Sequence, residues 1–395
     1  MKKLYAVASA VILTSCAHAS GLPGLPATGA GAAPALRAHS SGAAFAHLFS
    51  FNGTDGKEPF ASLIAVDSSL LGTTYGGGAS NEGTVFKITT AGTESVVYSF
   101  KGGADGALPQ ASLLDVNGTL YGTTINGGGP GEEGVVFDID SSLKEHVLYR
   151  FGPGPDGANP YGGVIEVGGA LYGTTAGGGA YSEGTAFKLT TSGKETVIHN
   201  FGKDTSDGTT PSAGLIEVGG TLYGTTEFGG GHCGSYGCGS IFSLATSGGE
   251  KVLYGFQGGD DGSSPTAALV DVGGTLYGTT STGGASNAGT IFAITTSGKE
   301  KLVYAFKGGA DGASPQDLTA VDGVLYGTTS AGGTSSDGTI FSITTSGTKT
   351  VLYSFPGGTN GSIPRAGLVD LNDLLYGTTG NGGASGVGTV FHITP

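Results

Sequence analysis

Residues 96–137 read VVYSFKGGADGALPQASLLDVNGTLYGTTINGGGPGEEGVVF, four short β-prone runs separated by glycine, proline, asparagine and aspartate. Residues of these types end strands and begin turns, so the runs are predicted to be strands. Asn117-Gly118 stands between two of them and is a typical signal for a tight hairpin. No part of this stretch shows the 3.6-residue apolar period of a helix. We therefore expect antiparallel strands and almost no helix.

The same pattern recurs to the end of the chain at intervals of about fifty residues. The phenylalanine that closes its first run returns as Phe51, Phe100, Phe151, Phe201, Phe256, Phe306 and Phe355. The glycine of its G-T-T element returns as Gly72, Gly122, Gly173, Gly224, Gly278, Gly327 and Gly377. Four strands per unit, repeated seven times, predict an all-β, seven-bladed β-propeller. A β-helix is the alternative, although its coils are usually shorter.

The two ends of the repeat region predict how the ring closes. Residues 45–51 resemble the outermost strand of a unit but precede the first complete unit, and the last unit ends after its third strand at residues 389–394. Pairing of these two segments would complete the seventh blade with the N-terminal strand. It would also remove exposed strand edges, which invite aggregation.

The first 44 residues are expected to direct and tether the protein. Lys2, Lys3 and the apolar residues 4–13 are typical of an export signal, too short to cross a bilayer. The signal ends in L-T-S-C, which resembles a bacterial lipobox with Cys16 as the lipidated residue; cleavage after Ala19 is the alternative. We divide the chain into a signal region (1–19), a flexible tether rich in Gly, Ala, Pro and Ser (20–44) and the propeller (45–395). The expected location is the outer membrane or cell surface as a lipoprotein, otherwise the periplasm or the medium.

Composition narrows the range of partners. The chain has 80 glycines among 395 residues but 37% hydrophobic residues, enough for a core, and a net charge of −14. This charge repels polyanions, so nucleic acid is not an expected partner. We expect a monomer that touches the membrane only through its lipid anchor.

The repeats resemble those of a known family. The run G-G-x-D-G-x-x-P…L-Y-G-T-T-x-x-G-G…G-T-x-F-x-I-T is similar to the GloVer tandem repeat of exported bacterial choice-of-anchor proteins, over all seven units. Leu71, Val135 and Asn360 are single departures from it. The resemblance implies a secreted or surface-anchored repeat protein and brings no catalytic residues.

Two features are considered as metal sites. The D-G element supplies one oxygen-bearing residue per unit, namely Asp55, Asp105, Asp156, Asp207, Asp261, Asp311 and Asn360. These residues could bind calcium, but a turn-forming role is the interpretation we favour. Cys233 and Cys238, with His232 adjacent, could be zinc ligands; in an exported protein a disulfide is the favoured interpretation. No metal site and no other cofactor are therefore expected.

The expected ligand site lies where the repeats differ, at the mouth of the central channel. The sixth unit is one residue shorter after Pro315, which places Asp317 where other units have Ala, Gly or Ser beside the axis. Arg365 follows its proline at the same end. The hypothesis is that Phe60, Tyr161, Gln316, Asp317 and Arg365 line the site, and that Asp317 and Arg365 either pair or jointly contact a ligand.

Three functions remain open at this point. A non-catalytic propeller that binds an extracellular glycan or protein is preferred, because mixed aromatic, amide and arginine side chains suit such ligands. One alternative is a hydrolase or lyase that uses acidic loop residues such as Glu82, Glu133, Glu183 and Asp337. The other is a structural surface component. Fold alone does not choose among them.

Overall fold

The structure is a computed structural model that describes residues 43–152, 154–231, 233–234 and 236–395. The predicted export signal, Cys16 and nearly all of the predicted tether lie outside the described residues, and so does His232. Within the described ranges no helix has the length and apolar character needed to cross a membrane. Helical structure in these ranges consists of three short 3-10 turns, at Gly259–Asp261, Gly309–Asp311 and Gly358–Asn360.

The chain folds into seven four-stranded antiparallel blades, which confirms the predicted propeller. Blades are numbered along the chain, and their strands are given from the axis outwards. Blade one has Ile64–Val66, Ser69–Thr74, Thr84–Thr89 and Glu94–Ser99; blade two has Leu114–Val116, Thr119–Thr124, Val135–Ile139 and Glu145–Arg150; blade three has Ile165–Val167, Ala170–Thr175, Thr185–Thr190 and Glu195–Asn200. Blade four has Ile216–Val218, Thr221–Thr226, Ser240–Ala245 and Glu250–Gly255; blade five has Val270–Val272, Thr275–Thr280, Thr290–Thr295 and Glu300–Ala305; blade six has Ala313–Val321, Val324–Ala331, Thr339–Thr344 and Lys349–Ser354; blade seven has Val369–Leu371, Leu374–Thr379, Thr389–Ile393 and Phe45–Ser50. A two-stranded ribbon, Gly208–Thr209 with Phe228–Gly229, joins the loops of blade four.

The N-terminal strand closes the ring as predicted. Phe45–Ser50 pairs antiparallel with Thr389–Ile393, with Phe45 opposite Ile393 and Ser50 opposite Thr389. The ring of Phe45 also stacks on Tyr353 of blade six, with ring centroids 3.9 Å apart. The N-terminal strand therefore completes the sheet of blade seven and packs against blade six.

The repeated glycine and phenylalanines form the core between blades. A Cβ atom at Gly72 would lie 2.8 Å from the Phe86 ring and 2.6 Å from Leu63, so this position has no room for a side chain. Phe86 is fully buried and meets Phe51 edge to face at 5.0 Å. Aromatic pairs of this geometry add to the apolar burial that drives folding. The repeat thus keeps glycine where the ring of the third strand packs onto the second.

The paired threonines after the glycine have two different structural roles. Thr73 donates a hydrogen bond of 3.1 Å to the carbonyl oxygen of Ala111 in the next blade. Thr74 shares a bond of 2.8 Å with Thr84 inside its own blade. Both hydroxyls are buried and partnered, as buried polar groups must be to avoid a desolvation penalty.

Candidate functional site

The segments that follow each proline surround a central cavity of about 660 Å³. In six blades the innermost strand has only three residues, and the small residues before it form the channel wall. All five residues proposed from the sequence line this one cavity, namely Phe60, Tyr161, Gln316, Asp317 and Arg365. Gln110, Ser212, Glu227 and Thr266 line it as well. The volume lies within the range of about 300–1,000 Å³ that is typical of small-ligand sites.

Aromatic side chains lie on one part of the cavity rim. The guanidinium carbon of Arg365 is 5.1 Å from the centre of the Phe60 ring, in a cation–π arrangement. The Phe60 ring is 5.5 Å from that of Tyr75, which comes from the Gly-rich loop of the same blade. Tyr161, two blades away along the chain, is 38% exposed. The rim therefore presents accessible ring faces and one exposed cation.

Polar side chains from the post-proline segment and the Gly-rich loop meet in the same cavity wall. Gln316 Nε2 donates to the Ser314 carbonyl oxygen at 2.7 Å and to Ser330 Oγ at 3.3 Å. Ser212 Oγ donates to Glu227 Oε2 at 3.5 Å. Burial raises the pKa of Glu227, and the Ser212 hydroxyl partly opposes this shift. The two loops that vary most between repeats thus build one surface.

Asp317 lies where the deletion in the sixth unit places it. The equivalent of Thr73 in blade five, Thr279, donates to the carbonyl oxygen of Gln316, one residue after Pro315. In five other blades this acceptor comes two residues after the proline, as Ala111 does after Pro109. The shift brings Asp317 into the ring of small residues around the axis.

Both carboxylate oxygens of Asp317 have protein partners. The Ala268 amide donates to Oδ1 at 3.0 Å, and Ser62 Oγ donates to Oδ2 at 3.4 Å. Ser62 Oγ in turn accepts from the Gly367 amide at 2.8 Å. Burial raises the pKa of Asp317, and the two donors oppose that shift. The carboxyl group therefore connects blades five, six and one across the axis. It forms no ion pair with the described Arg365 side chain, which lies against Phe60 instead.

The acidic loop residues of the hydrolase alternative are not brought together. Glu82, Glu133, Glu183 and Asp337 occupy one equivalent position in four blades, where each carbonyl oxygen accepts an amide from the next loop. Among the described residues that line the cavity, none of these four appears. The cavity carboxylates are instead Glu227 and Asp317.

The D-G residues lie at the boundaries between blades and not around the channel. Tyr98 Oη donates to Asp105 Oδ1 at 2.7 Å, and the Lys101 amide donates to Oδ2 at 2.8 Å. Glu145, the first residue of the next outermost strand, faces the same aspartate, and burial together with Asp105 raises its pKa to about 7. Each boundary thus has its own small polar cluster. These hydrogen bonds support the turn-forming interpretation of the aspartates.

One of these boundary clusters has a composition that sequence patterns do not reveal. His199, Asp207 and Glu250 form the one group in the described part of the chain whose spacing suits a metal ion. They are separated by 8 and 43 residues in sequence and meet only because blades three and four pack together. The available signal is the alignment of the repeats, in which His199 stands where five other blades have tyrosine and blade seven has Phe49.

The inserted loop of blade four carries the cysteine pair. Cys233 and Cys238 are joined by a disulfide, with their Cα atoms 5.5 Å apart. Cys238 is buried and packs in the apolar cluster that contains Tyr223 and Phe256. The crosslink therefore ties the insertion to the core of blade four.

The chain was compared with protein families, with curated proteins and with solved structures. The family described as Gloeobacter/Verrucomicrobia repeat matches residues 28–235 and 231–391. In sequence, no curated protein matches the chain. Among solved structures, a gluconolactonase from Xanthomonas campestris is 13% identical with a TM-score of 0.40, and the match covers 70% of this chain and 82% of that one. A luciferin-regenerating enzyme is 13% identical with a TM-score of 0.44, and the match covers 90% of this chain and 96% of that one. With TM-scores below 0.5, these two likenesses carry no argument about this chain.

Proposed function

We propose that this chain, which belongs to the Gloeobacter/Verrucomicrobia repeat family, is an exported propeller that binds a short neutral glycan at the mouth of its central channel. The observation that carries the proposal is the convergence of Phe60, Tyr161, Gln316 and Arg365 on one open cavity of about 660 Å³. These positions differ from blade to blade, whereas the core of every blade is nearly the same.

The chemistry of the rim favours a sugar. Exposed ring faces such as Tyr161 can stack on the apolar face of a pyranose, and amide and hydroxyl groups can bond its hydroxyls. Gln316 and Ser212 supply such polar groups beside the rings. A net charge of −14 and the cavity carboxylates Glu227 and Asp317 disfavour sulfated or uronate-rich glycans. We therefore propose a neutral oligosaccharide.

The proposal includes a location. Lipidation at Cys16 followed by the tether 20–44 would hold the propeller at the outer membrane or cell surface, where glycans are encountered. The support for this is the lipobox-like sequence before Cys16. Replacing Cys16 with Ala should release the protein from the membrane fraction. Retention of the variant in that fraction would contradict lipid anchoring.

Binding is tested with a glycan array followed by calorimetric titration of the strongest neutral hit. Tyr161→Ala and Arg365→Ala should each lose most of the affinity because they remove a stacking face and a hydrogen-bond donor. Tyr236→Ala is the matched control, since this tyrosine is 80% exposed and does not line the cavity. Array binding confined to sulfated glycans or peptides, or equal affinity in all variants, would contradict the proposal.

A second function, hydrolysis of the bound glycan, is favoured by one observation. Burial raises the pKa of Glu227, which lies in the cavity beside Ser212, and a raised pKa is the direction that suits a carboxyl group to general acid catalysis. Incubation of the protein with the glycan that it binds would release shorter products. Glu227→Gln should then keep binding and lose turnover. Intact glycan after prolonged incubation would restrict the chain to binding.

A further inference from the structure

The polar cluster at the boundary between blades three and four differs from those at its two neighbours in one side chain, and its loop is one residue longer. On either side, Tyr149 Oη donates to Asp156 Oδ2 at 2.7 Å and Tyr254 Oη donates to Asp261 Oδ1 at 2.9 Å. At the intervening boundary the position of the tyrosine is taken by His199. Its Nε2 lies 3.7 Å from Asp207 Oδ1, too far for a hydrogen bond. The hydroxyl that satisfies the aspartate at the two neighbouring boundaries is therefore missing here.

Three potential metal ligands converge at this boundary. His199, Asp207 and Glu250 offer ligand atoms that all lie within 4.8 Å of one another. Asp207 is only 8% exposed. The Lys203 amide donates to its Oδ2 at 3.0 Å, which turns Oδ1 towards His199. The carboxylate is thus fixed with one oxygen directed into the cluster.

The atoms directed into the cluster have no hydrogen-bond partner. His199 Nε2, Asp207 Oδ1 and Glu250 Oε1 are all buried and unpartnered. An unpartnered Oε1 is common to the five boundary glutamates, so Glu250 alone is not distinctive. The aspartates of the neighbouring boundaries, by contrast, receive the tyrosine hydroxyl. Buried polar atoms without partners are costly, and a bound cation would satisfy all three here.

We propose that His199, Asp207 and Glu250 bind one divalent metal ion of the zinc class. A neutral imidazole with two carboxylates matches a doubly charged cation, and imidazole nitrogen favours zinc-class ions over calcium. Zinc bonds of about 2.0–2.2 Å require the three ligand atoms, which now lie within 4.8 Å of one another, to move closer together. A cavity of about 580 Å³ borders the cluster and leaves room for an external fourth ligand.

The neighbouring charges are compatible with a cation. Lys203, Asp204 and Lys251 also line the adjoining cavity. Of these, Asp204 is exposed and lies close enough to influence Glu250 electrostatically. The two lysines are the groups that would compete with a metal. Among the described residues, neither lysine forms an ion pair with Asp207 or Glu250, so the charge of these carboxylates is left for a cation.

The test is titration of the full chain with zinc chloride, followed by calorimetry and by thermal unfolding. We expect one zinc ion per chain and a rise in melting temperature. His199→Tyr introduces the tyrosine that five other blades have at this position, so the variant should fold normally and lose both effects. Glu250→Gln is the second variant. It keeps the volume of the side chain and should bind zinc more weakly than the wild type.

Two controls separate this site from other zinc binding. Asp204→Asn changes a neighbouring carboxylate that is not a ligand and should keep stoichiometric binding. The double variant Cys233→Ser with Cys238→Ser should also keep it, because the cysteine loop is not part of the cluster. The proposal would be overturned by any of three results. The wild-type chain takes up no stoichiometric zinc, His199→Tyr takes up as much zinc as the wild type, or uptake is lost only in the cysteine variant.

Discussion

Lys349 Nζ lies 3.0 Å from Asp311 Oδ1 at the boundary of blades five and six. At five other boundaries a glutamate faces the aspartate of the equivalent loop. The lysine side chain is 2% exposed and also bonds the Asp311 carbonyl oxygen at 2.7 Å. Its ammonium group lies 4.9 Å from the centre of the Phe306 ring. One substitution in the repeat therefore converts a repulsive pair of acids into an ion pair.

Lys349→Met should destabilise the propeller by about 2–3 kcal/mol, because it leaves the Asp311 carboxylate without its buried counter-charge. Adding Asp311→Asn should recover much of this loss. The boundary of blades six and seven already uses that solution, with Asn360 and Phe45 at the equivalent positions. Urea unfolding of the single and double variants measures both effects. A double variant that is no more stable than Lys349→Met would contradict the account.

Stability should fall as pH rises from about 5 to 8. Burial, reinforced by an adjacent aspartate, raises the pKa of Glu94, Glu145, Glu195, Glu250 and Glu300 from 4.5 to about 7. Between these two values the folded chain holds protons that the unfolded chain has released. The stabilisation from these protons is complete below pH 4.5 and is lost as pH rises through 7. Melting temperature recorded across this range, in the absence of metal, checks the direction.

Glu145→Gln isolates one of these groups. The amide cannot ionise, so the variant should be more stable than the wild type at pH 8, by at most about 1 kcal/mol because the site is partly solvated. The advantage should shrink towards pH 5. Glu132→Gln, at an exposed loop position, is the matched control and should follow the wild type. A constant difference between Glu145→Gln and wild type at all pH values would show that Glu145 does not titrate there.

The disulfide prediction concerns the inserted loop of blade four. Closing so short a ring stabilises a protein by about 2 kcal/mol in the chain-entropy model, so Cys233→Ser with Cys238→Ser should lower stability by a similar amount. Mass spectrometry of the exported protein should find the two cysteines oxidised. Two free thiols in that sample would contradict a disulfide in the native protein.

Deletion of residues 45–51 should open the ring. It removes the outermost strand of blade seven, exposes the edge of Thr389–Ile393 and uncovers Phe355 and Phe391, which pack against Phe45. We expect a lower melting temperature and self-association in light scattering. A truncated protein that stays monomeric with unchanged stability would show that the N-terminal strand is dispensable.

Periodicity explains why the fold and the place of the cavity could be predicted. Phe100 and Gly122 recur in register with turn residues between them, so strand number, blade number and closure follow from counting. The ring position of Asp317 follows from the one-residue deletion. The hydrogen bonds of Asp317 to Ala268 and Ser62 could not be predicted from the sequence, because they depend on how far blades one and five lie from the axis.

Contacts between blades are what the sequence leaves undetermined. Glu145 faces Asp105 across forty residues, and no local pattern links them. The contact between His199 and Glu250 also joins two blades, because Glu250 lies on the next blade. Only the alignment of the boundary positions reveals that histidine stands here in place of tyrosine. Arg365 likewise lies against Phe60 of the adjoining blade, which a reading of its own blade does not reveal.

The central claim is that the channel mouth holds a neutral glycan, and a crystal structure with the strongest neutral array hit tests it most directly. The account predicts sugar rings against Tyr161 and the Phe60–Arg365 pair, with hydroxyls bonded to Gln316. Sugar bound on the outer strands of the blades, with the channel mouth empty, would contradict it.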